Sequence, residues 1–435
     1  MSHEPPNDLD EFFSTARTRG REEAILLSGQ SFRDFLYDLD DDAVAPWRGL
    51  DYEQFTAARQ DNPFLQELLR TWNDLYAEPF RGITADGAAR EGLYRLPDDG
   101  AADPELVAAG QALLAALSDE ERRRLQYPLD AHEWRAWSNP EFVFHRVGLR
   151  LEDLEEDKAQ AVFALLRASL SAEGYERVRE AMGLNGFLGE LVGLPQVMND
   201  RSYWVALYGD PAAGEPWGWQ LFGHHVALNF VTVGGRDVIA PAFIGAEPAL
   251  ADGERPPLFD ERERMAIALA SSLTAEQRSK AVVYESVLDS AMPADRVHPA
   301  DERHVAGAFH DNRVVPYEGI RAVELDGRQR TLLRSIVADF LLLLRTPHRD
   351  AALDDIDAHL DDTWFSWYGA TDGSQPIYFR IHSPVILAEL DNHAGVWLTN
   401  RLPARFHVHT TLRLPYGNDY ARAYIAQWRK RRGGA

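Results

Sequence analysis

The sequence predicts an internally duplicated α+β fold, and three observations lead there. Apolar residues recur at three- and four-residue spacing in several stretches, as helices require. Strand-like segments follow the helices and do not alternate with them. The same order of motifs also occurs twice between residue 105 and the C-terminus.

In chain order, residues 1–50 read as an acidic, irregular segment with short apolar patches at Phe12-Phe13 and Phe32 to Tyr37. Asp38 to Asp42 reads there as a solvated acidic run. Residues 51–104 form a helical extension, carried by Tyr52, Phe55, Phe64, Leu65, Leu68, Leu69, Trp72 and Leu75. Residues 105–258 form the first half and 259–435 the second.

In each half one apolar helix ends and a Ser/Thr cap opens the next: Leu117-Ser118-Asp-Glu-Glu in one, Leu273-Thr274-Ala-Glu-Gln in the other. Gly148-Leu-Arg150 is echoed by Gly319-Ile-Arg321, and helix Ala161 to Leu170 by Leu332 to Leu344. Tyr203-Trp204 with Tyr208-Gly209 is echoed by Trp364-Phe365 with Tyr368-Gly369. A strand is expected after each, over Trp217 to Val233 and Ile377 to Leu390, with Gly234-Gly235 as a hairpin tip.

With 45 basic and 69 acidic residues the chain carries a formal charge of −24, which disfavours nucleic-acid backbones and anionic membranes as partners. A hydrophobic fraction of 45% excludes a disordered chain. There is no Cys, so thiol nucleophiles, disulfides, zinc ribbons and iron–sulfur clusters are excluded together. The polar start of the chain and a longest aliphatic run of only Phe340 to Leu344 point to a cytoplasmic protein. Any metal must be held by His, Asp, Glu or carbonyl oxygen.

The His residues gather where the strands are. In Gly223-His224-His225-Val-Ala-Leu-Asn229, strand alternation puts His224 with Val226 and Leu228 on a core face, and His225 with Ala227 and Asn229 on the other. A bulge would bring both to one side. Trp217 and Trp219 would form an aromatic wall nearby. In Phe406-His407-Val408-His409, two imidazoles two residues apart on a strand can chelate one cation, with Thr411 and Arg413 on the same face. The third ligand is expected from His225 or His224, with Glu389, Asp391 and His382 as further candidates. Paired surface imidazoles on an edge strand are the competing reading.

Gly223-His224-His225-Val-Ala-Leu-Asn229, Pro241-Ala-Phe243-Ile-Gly245-Ala246-Glu-Pro248, Tyr378-Phe-Arg380-Ile-His382, Glu389-Leu-Asp391-Asn392 and His407-Val-His409 together resemble the uncharacterised family catalogued as domain of unknown function 3500. The likeness runs from about residue 105 to the C-terminus. It implies functional weight on His224, His225, Asn229, Glu389, Asp391, Asn392, His407 and His409, and it implies no reaction. Phe406 departs from the family pattern, which has Asn there.

The expectation is one divalent transition ion, Fe or Cu in preference to Zn, held by His407, His409 and His225 or His224. The leaning is to an oxidoreductase activating dioxygen or peroxide on a small organic substrate. A zinc hydrolase with Glu389 as general base is the first alternative, and a non-catalytic metal or ligand-binding protein the second. Asn229 and Arg413 are expected to orient the substrate, Arg413 by pairing with a carboxylate.

Overall fold

The computed structural model describes residues 31–97, 103–212, 214–253 and 255–433. The patch at Phe12-Phe13 lies outside them. Asp51 and Asn62 accept backbone N–H bonds that start helices α1 (Tyr52–Gln60) and α2 (Pro63–Ala77), and Phe55, Leu65, Leu68 and Trp72 bury their inner stripe. The helical extension stops at Ala77: Pro79 and Gly82 follow, and residues 78–97 carry no helix, with Thr84 bridged to Val314.

The first half runs α3 (Pro104–Ala116), α4 (Asp119–Leu125), β1 (Gln126–Tyr127), β2 (Leu149–Arg150), α5 (Glu156–Ser169), α6 (Ala172–Leu191), β3 (Tyr203–Gly209), β4 (Trp217–Gly223), β5 (Val226–Val233) and β6 (Arg236–Ala246). The second runs α7 (Asp260–Ser272), α8 (Ala275–Ala281), β7 (Val282–Tyr284), β8 (Ile320–Arg321), α9 (Gly327–Phe340), α10 (Thr346–Asp357), β9 (Trp364–Tyr368), β10 (Tyr378–His382), β11 (Leu387–Asn392) and β12 (Val408–Arg413). Helix α11 (Arg422–Gly433) closes the described chain. Ser118 and Thr274 form full capping boxes at the starts of α4 and α8, as their spacing predicts.

All twelve strands join one mixed α+β sheet in the order β1-β3-β4-β5-β6-β12-β11-β10-β9-β7, with β2 on β3 and β8 on β9. The outermost pairs, β1 on β3 and β7 on β9, are parallel, and the other pairings are antiparallel. At the centre β6 pairs with β12, and Gly245 stands opposite His409. Gly148 and Gly319 sit at φ 86° and 92° just before β2 and β8; a Cβ there would fall 1.8 Å from Val205 O and 2.1 Å from Phe365 O. Both long connections therefore re-enter the sheet through a position that only glycine fits.

Two expectations need correction. Trp217 to Val233 is not one strand but the hairpin β4–β5, and Ile377 to Leu390 spans all of β10 and the first part of β11. Gly234-Gly235 does form the β5–β6 tip, with φ of 53° and 73°.

One sheet face packs on helices. Ala242, Ile244, Thr410 and Leu412 line one small cavity with Phe340 and Leu343, and Trp219 Nε1 donates to Ser169 Oγ at the end of α5 (2.8 Å). Trp217 and Trp219 thus point into the helical layer and form no wall at the His groups. The opposite face is covered by the connections 128–148 and 285–319: Gln220 donates to Trp134 O, and Arg413 to Ala306 O. Among the described residues no helix is long and apolar enough to cross a membrane.

Candidate metal centre

His224 and His225 are the two tip residues of the β4–β5 hairpin, closed by the Gly223–Val226 pair. His225 takes φ 63°, the left-handed region that Gly or Asn enters at less cost. The two rings stack at 3.9 Å and do not point to opposite faces, because a tip interrupts strand alternation. Tyr203 OH donates to His224 O (3.1 Å) and Gly245 N to His225 O (2.7 Å), fixing the turn against β3 and β6. His224 Nδ1 lies 2.8 Å from Asn185 Oδ1, which ties that ring to α6. Its partner His225 turns towards the second half.

There it meets His407 and His409, with ring centroids 5.5 and 5.0 Å away. One nitrogen from each of the three lies within 4.8 Å of the others, and all three residues are buried. His407 and His409 bring their Nε2 atoms to 3.1 Å. His407 Nδ1 lies 2.7 Å from Ala394 O. A carbonyl only accepts, so Nδ1 carries the proton and the His407 lone pair points at His409. Two ligands at about 2.05 Å from one tetrahedral ion stand about 3.3 Å apart, close to this separation.

Burial, reinforced by neighbouring imidazoles, pushes His225, His407 and His409 well below the usual imidazole range. The neutral form that binds a metal is therefore the stable one at neutral pH. Gly245 makes room between the rings: a Cβ there would lie 2.6 Å from His409 Cδ2 and 3.2 Å from His225 Cδ2.

Around these three stand groups that pattern alone did not single out. Glu247 is buried and its Oε1 accepts N–H bonds from Val396, Trp397 and Leu398 at 2.8, 3.1 and 3.0 Å. The same oxygen is 3.8 Å from His407 Nδ1, and burial pushes the carboxyl up to about 7. His393 lies on the loop after β11, its ring 3.9 Å from that of His409. Burial alone would lower the His393 pKa, but Glu302 and Asp391 outweigh it and raise it. His304 comes from the connection 285–319, with Nδ1 2.8 Å from Thr411 Oγ1. Loop histidines leave no periodic trace, which is why spacing missed them. The signal available for Glu247 was a lone acid between the apolar strand β6 and Pro248.

The remaining expected residues have other partners. Glu389 accepts from Val305 N (3.1 Å), Ala306 N (2.9 Å) and Tyr378 OH (2.9 Å). Asn229 Oδ1 accepts from Gln220 (2.6 Å) and its Nδ2 donates to Pro241 O (2.8 Å). Arg413 donates to Ala306 O, Gly307 O, Asp311 and Asp419 at 2.9, 2.6, 2.6 and 3.1 Å, so its fork is filled by the protein itself. His382 packs on Tyr317 at 4.5 Å, with both ring nitrogens buried and unbonded. Asp391 stands opposite His409 across β11–β12, salt-bridged to Arg303 at 2.7 Å.

Three convergent neutral imidazoles, one of them anchored from behind by the Ala394 carbonyl, suit a transition ion with open coordination positions. One family model, described as a protein of unknown function (DUF3500), matches residues 99–422. No curated protein and no solved structure matches the chain.

Proposed function

We propose that this chain, which belongs to the DUF3500 family, is a metal-dependent enzyme whose His225, His407 and His409 hold a divalent transition ion. The observation that carries the reading is the 3.1 Å approach of two Nε2 atoms when the His407 proton is committed to Ala394 O. A cation bound at this point takes the His407 lone pair and, once His409 carries its proton on Nδ1, the His409 lone pair as well; without the ion, His409 Nε2–H donates to His407 Nε2 at the same distance.

The reading leans to an oxidoreductase with Fe or Cu, which would supply activation of dioxygen or peroxide against a small organic substrate. The support is an all-imidazole ligand set in a buried, Cys-free site, and the absence of a free base at Glu389, whose oxygens are already bonded. A zinc hydrolase is the second reading. It is favoured by Glu247 and not by Glu389, because a carboxyl titrating near 7 beside His407 can exchange a proton at neutral pH. Asn229 and Arg413 brace the scaffold, so they do not separate an enzyme from a binding protein, and the preference for a carboxylate substrate loses its basis.

We further infer that the two halves derive from a duplication and that the centre sits at their seam. Support comes from the shared order of elements, the paired glycines before β2 and β8, and the supply of His225 by one half and His407 and His409 by the other.

Protein reconstituted separately with Fe²⁺, Cu²⁺ or Zn²⁺ is assayed for oxygen and peroxide consumption with ascorbate and a panel of small phenols and acids. Consumption with Fe or Cu that His407→Gln abolishes is the expected result. Hydrolysis of small esters with Zn alone, under anaerobic conditions, overturns the oxidoreductase reading.

A further inference from the structure

We infer that His304, Asp391 and His393 form a second transition-metal site beside the first, which makes the centre dinuclear. This inference rests on the metal reading above and extends it. One ligand atom from each of the three residues lies within 4.8 Å of the others, and all three are buried.

His304 Nε2 is buried with no hydrogen-bond partner, and His393 Nε2 faces only the Asp391 carboxylate at 3.2 Å, both in residues only 2% exposed. An orphaned atom such as His304 Nε2 is costly unless something outside the protein satisfies it. Two of the three ligands are also held from behind. Thr411 Oγ1 is 2.8 Å from His304 Nδ1, and Arg303 binds Asp391 through Nε at 2.7 Å and its backbone N at 3.1 Å. Outer partners of this kind orient metal ligands.

The two sites are contiguous. The His393 ring lies 3.9 Å from His409 and 5.4 Å from His407, and His304 lies 6.2 Å from His409. Asp391 is fully buried and paired with Arg303, while Glu389 lies in the field of Arg296 and Arg313.

The competing arrangement is a protonated His393 facing Asp391 at 3.2 Å. It supplies one charge but leaves His304 Nε2 unsatisfied. Two imidazoles and one carboxylate suit Zn, Mn, Fe or Co, whereas Mg and Ca prefer oxygen ligands throughout.

The test counts ions in tag-free full-length protein, stripped with chelator and then dialysed against Co²⁺ or Zn²⁺. Wild type is expected to hold two equivalents, and His304→Gln and His393→Gln one each, with circular dichroism confirming the fold. Wild type stopping at one equivalent that both variants retain and His407→Gln loses overturns the second site and leaves the first standing. No uptake at all overturns both. Should both variants fail to fold, paramagnetic resonance of Co²⁺-loaded wild type decides: a coupled pair supports the inference, and isolated ions at saturation overturn it.

Discussion

At the scale of single residues, Gly245 bears on the dimensions of the proposed centre and Glu247 on the pH dependence of the protein around it. A methyl group at Gly245 would sit 2.6 Å from His409 Cδ2, inside van der Waals contact, so one of the flanking rings must move. Gly245→Ala should lower affinity for Zn²⁺ or Co²⁺ by at least about tenfold, the range seen when metal-ligand orientation is lost. Competition with a chromophoric chelator measures it, and an unchanged affinity would show that the rings are not the ligands. Glu247 gives a pH signature. Its carboxyl is raised from its usual 4.5 to about 7 by burial, so the folded state holds a proton that the unfolded state releases between those values. Metal-free protein is therefore most stable, as far as this group goes, below about pH 4.5, and loses that contribution as pH rises through 7. The loss is at most about 3 kcal/mol. On going from pH 5 to pH 8 the urea midpoint of Glu247→Gln should move upward relative to the wild-type change, because the buried imidazoles contribute equally to both; the same change in both would refute the raised value.

At the scale of elements, the β4–β5 tip places the proposed ligand His225 at a backbone cost. Asn tolerates φ 63° better than His does. His225→Asn should then keep or slightly raise the melting temperature of the metal-free protein while weakening metal binding. A lowered melting temperature with unchanged metal binding would contradict the assignment. This tip also marks where sequence reading stopped. The caps at Ser118 and Thr274, the Gly234-Gly235 tip and the His-x-His pair were legible because each uses residue types its geometry requires. A His-His turn carries none of the Gly, Asn or Asp signal of a hairpin, so it passed as strand interior. His304 and His393 lie on irregular connections, where no periodicity tells which face a side chain takes.

At the scale of the whole molecule, the halves are locked by a buried ionic network. Asp311, from the connection 285–319, binds Arg135 of the connection 128–148 at 2.6 Å and Arg413 of β12 at 2.6 Å, and Tyr420 OH donates to it at 3.2 Å. Asp311→Asn takes from Arg135 its carboxylate and leaves Arg413 with Asp419 alone, and should cost about 3 kcal/mol, read as a lower urea midpoint. A shift equivalent to less than about 1 kcal/mol would mean that other contacts hold the seam. The mixed α+β character was legible from the helix periodicity and the strand runs, but this network was not, because its members are far apart in sequence and each alone looks like a surface charge. The central claim is that His225, His407 and His409 bind a transition ion. Elemental analysis of tag-free protein, as purified and after reconstitution, tests it most directly. The account predicts at least one equivalent per chain, lost in His407→Gln/His409→Gln. Less than a tenth of an equivalent of every transition metal, with no gain on reconstitution, would contradict it.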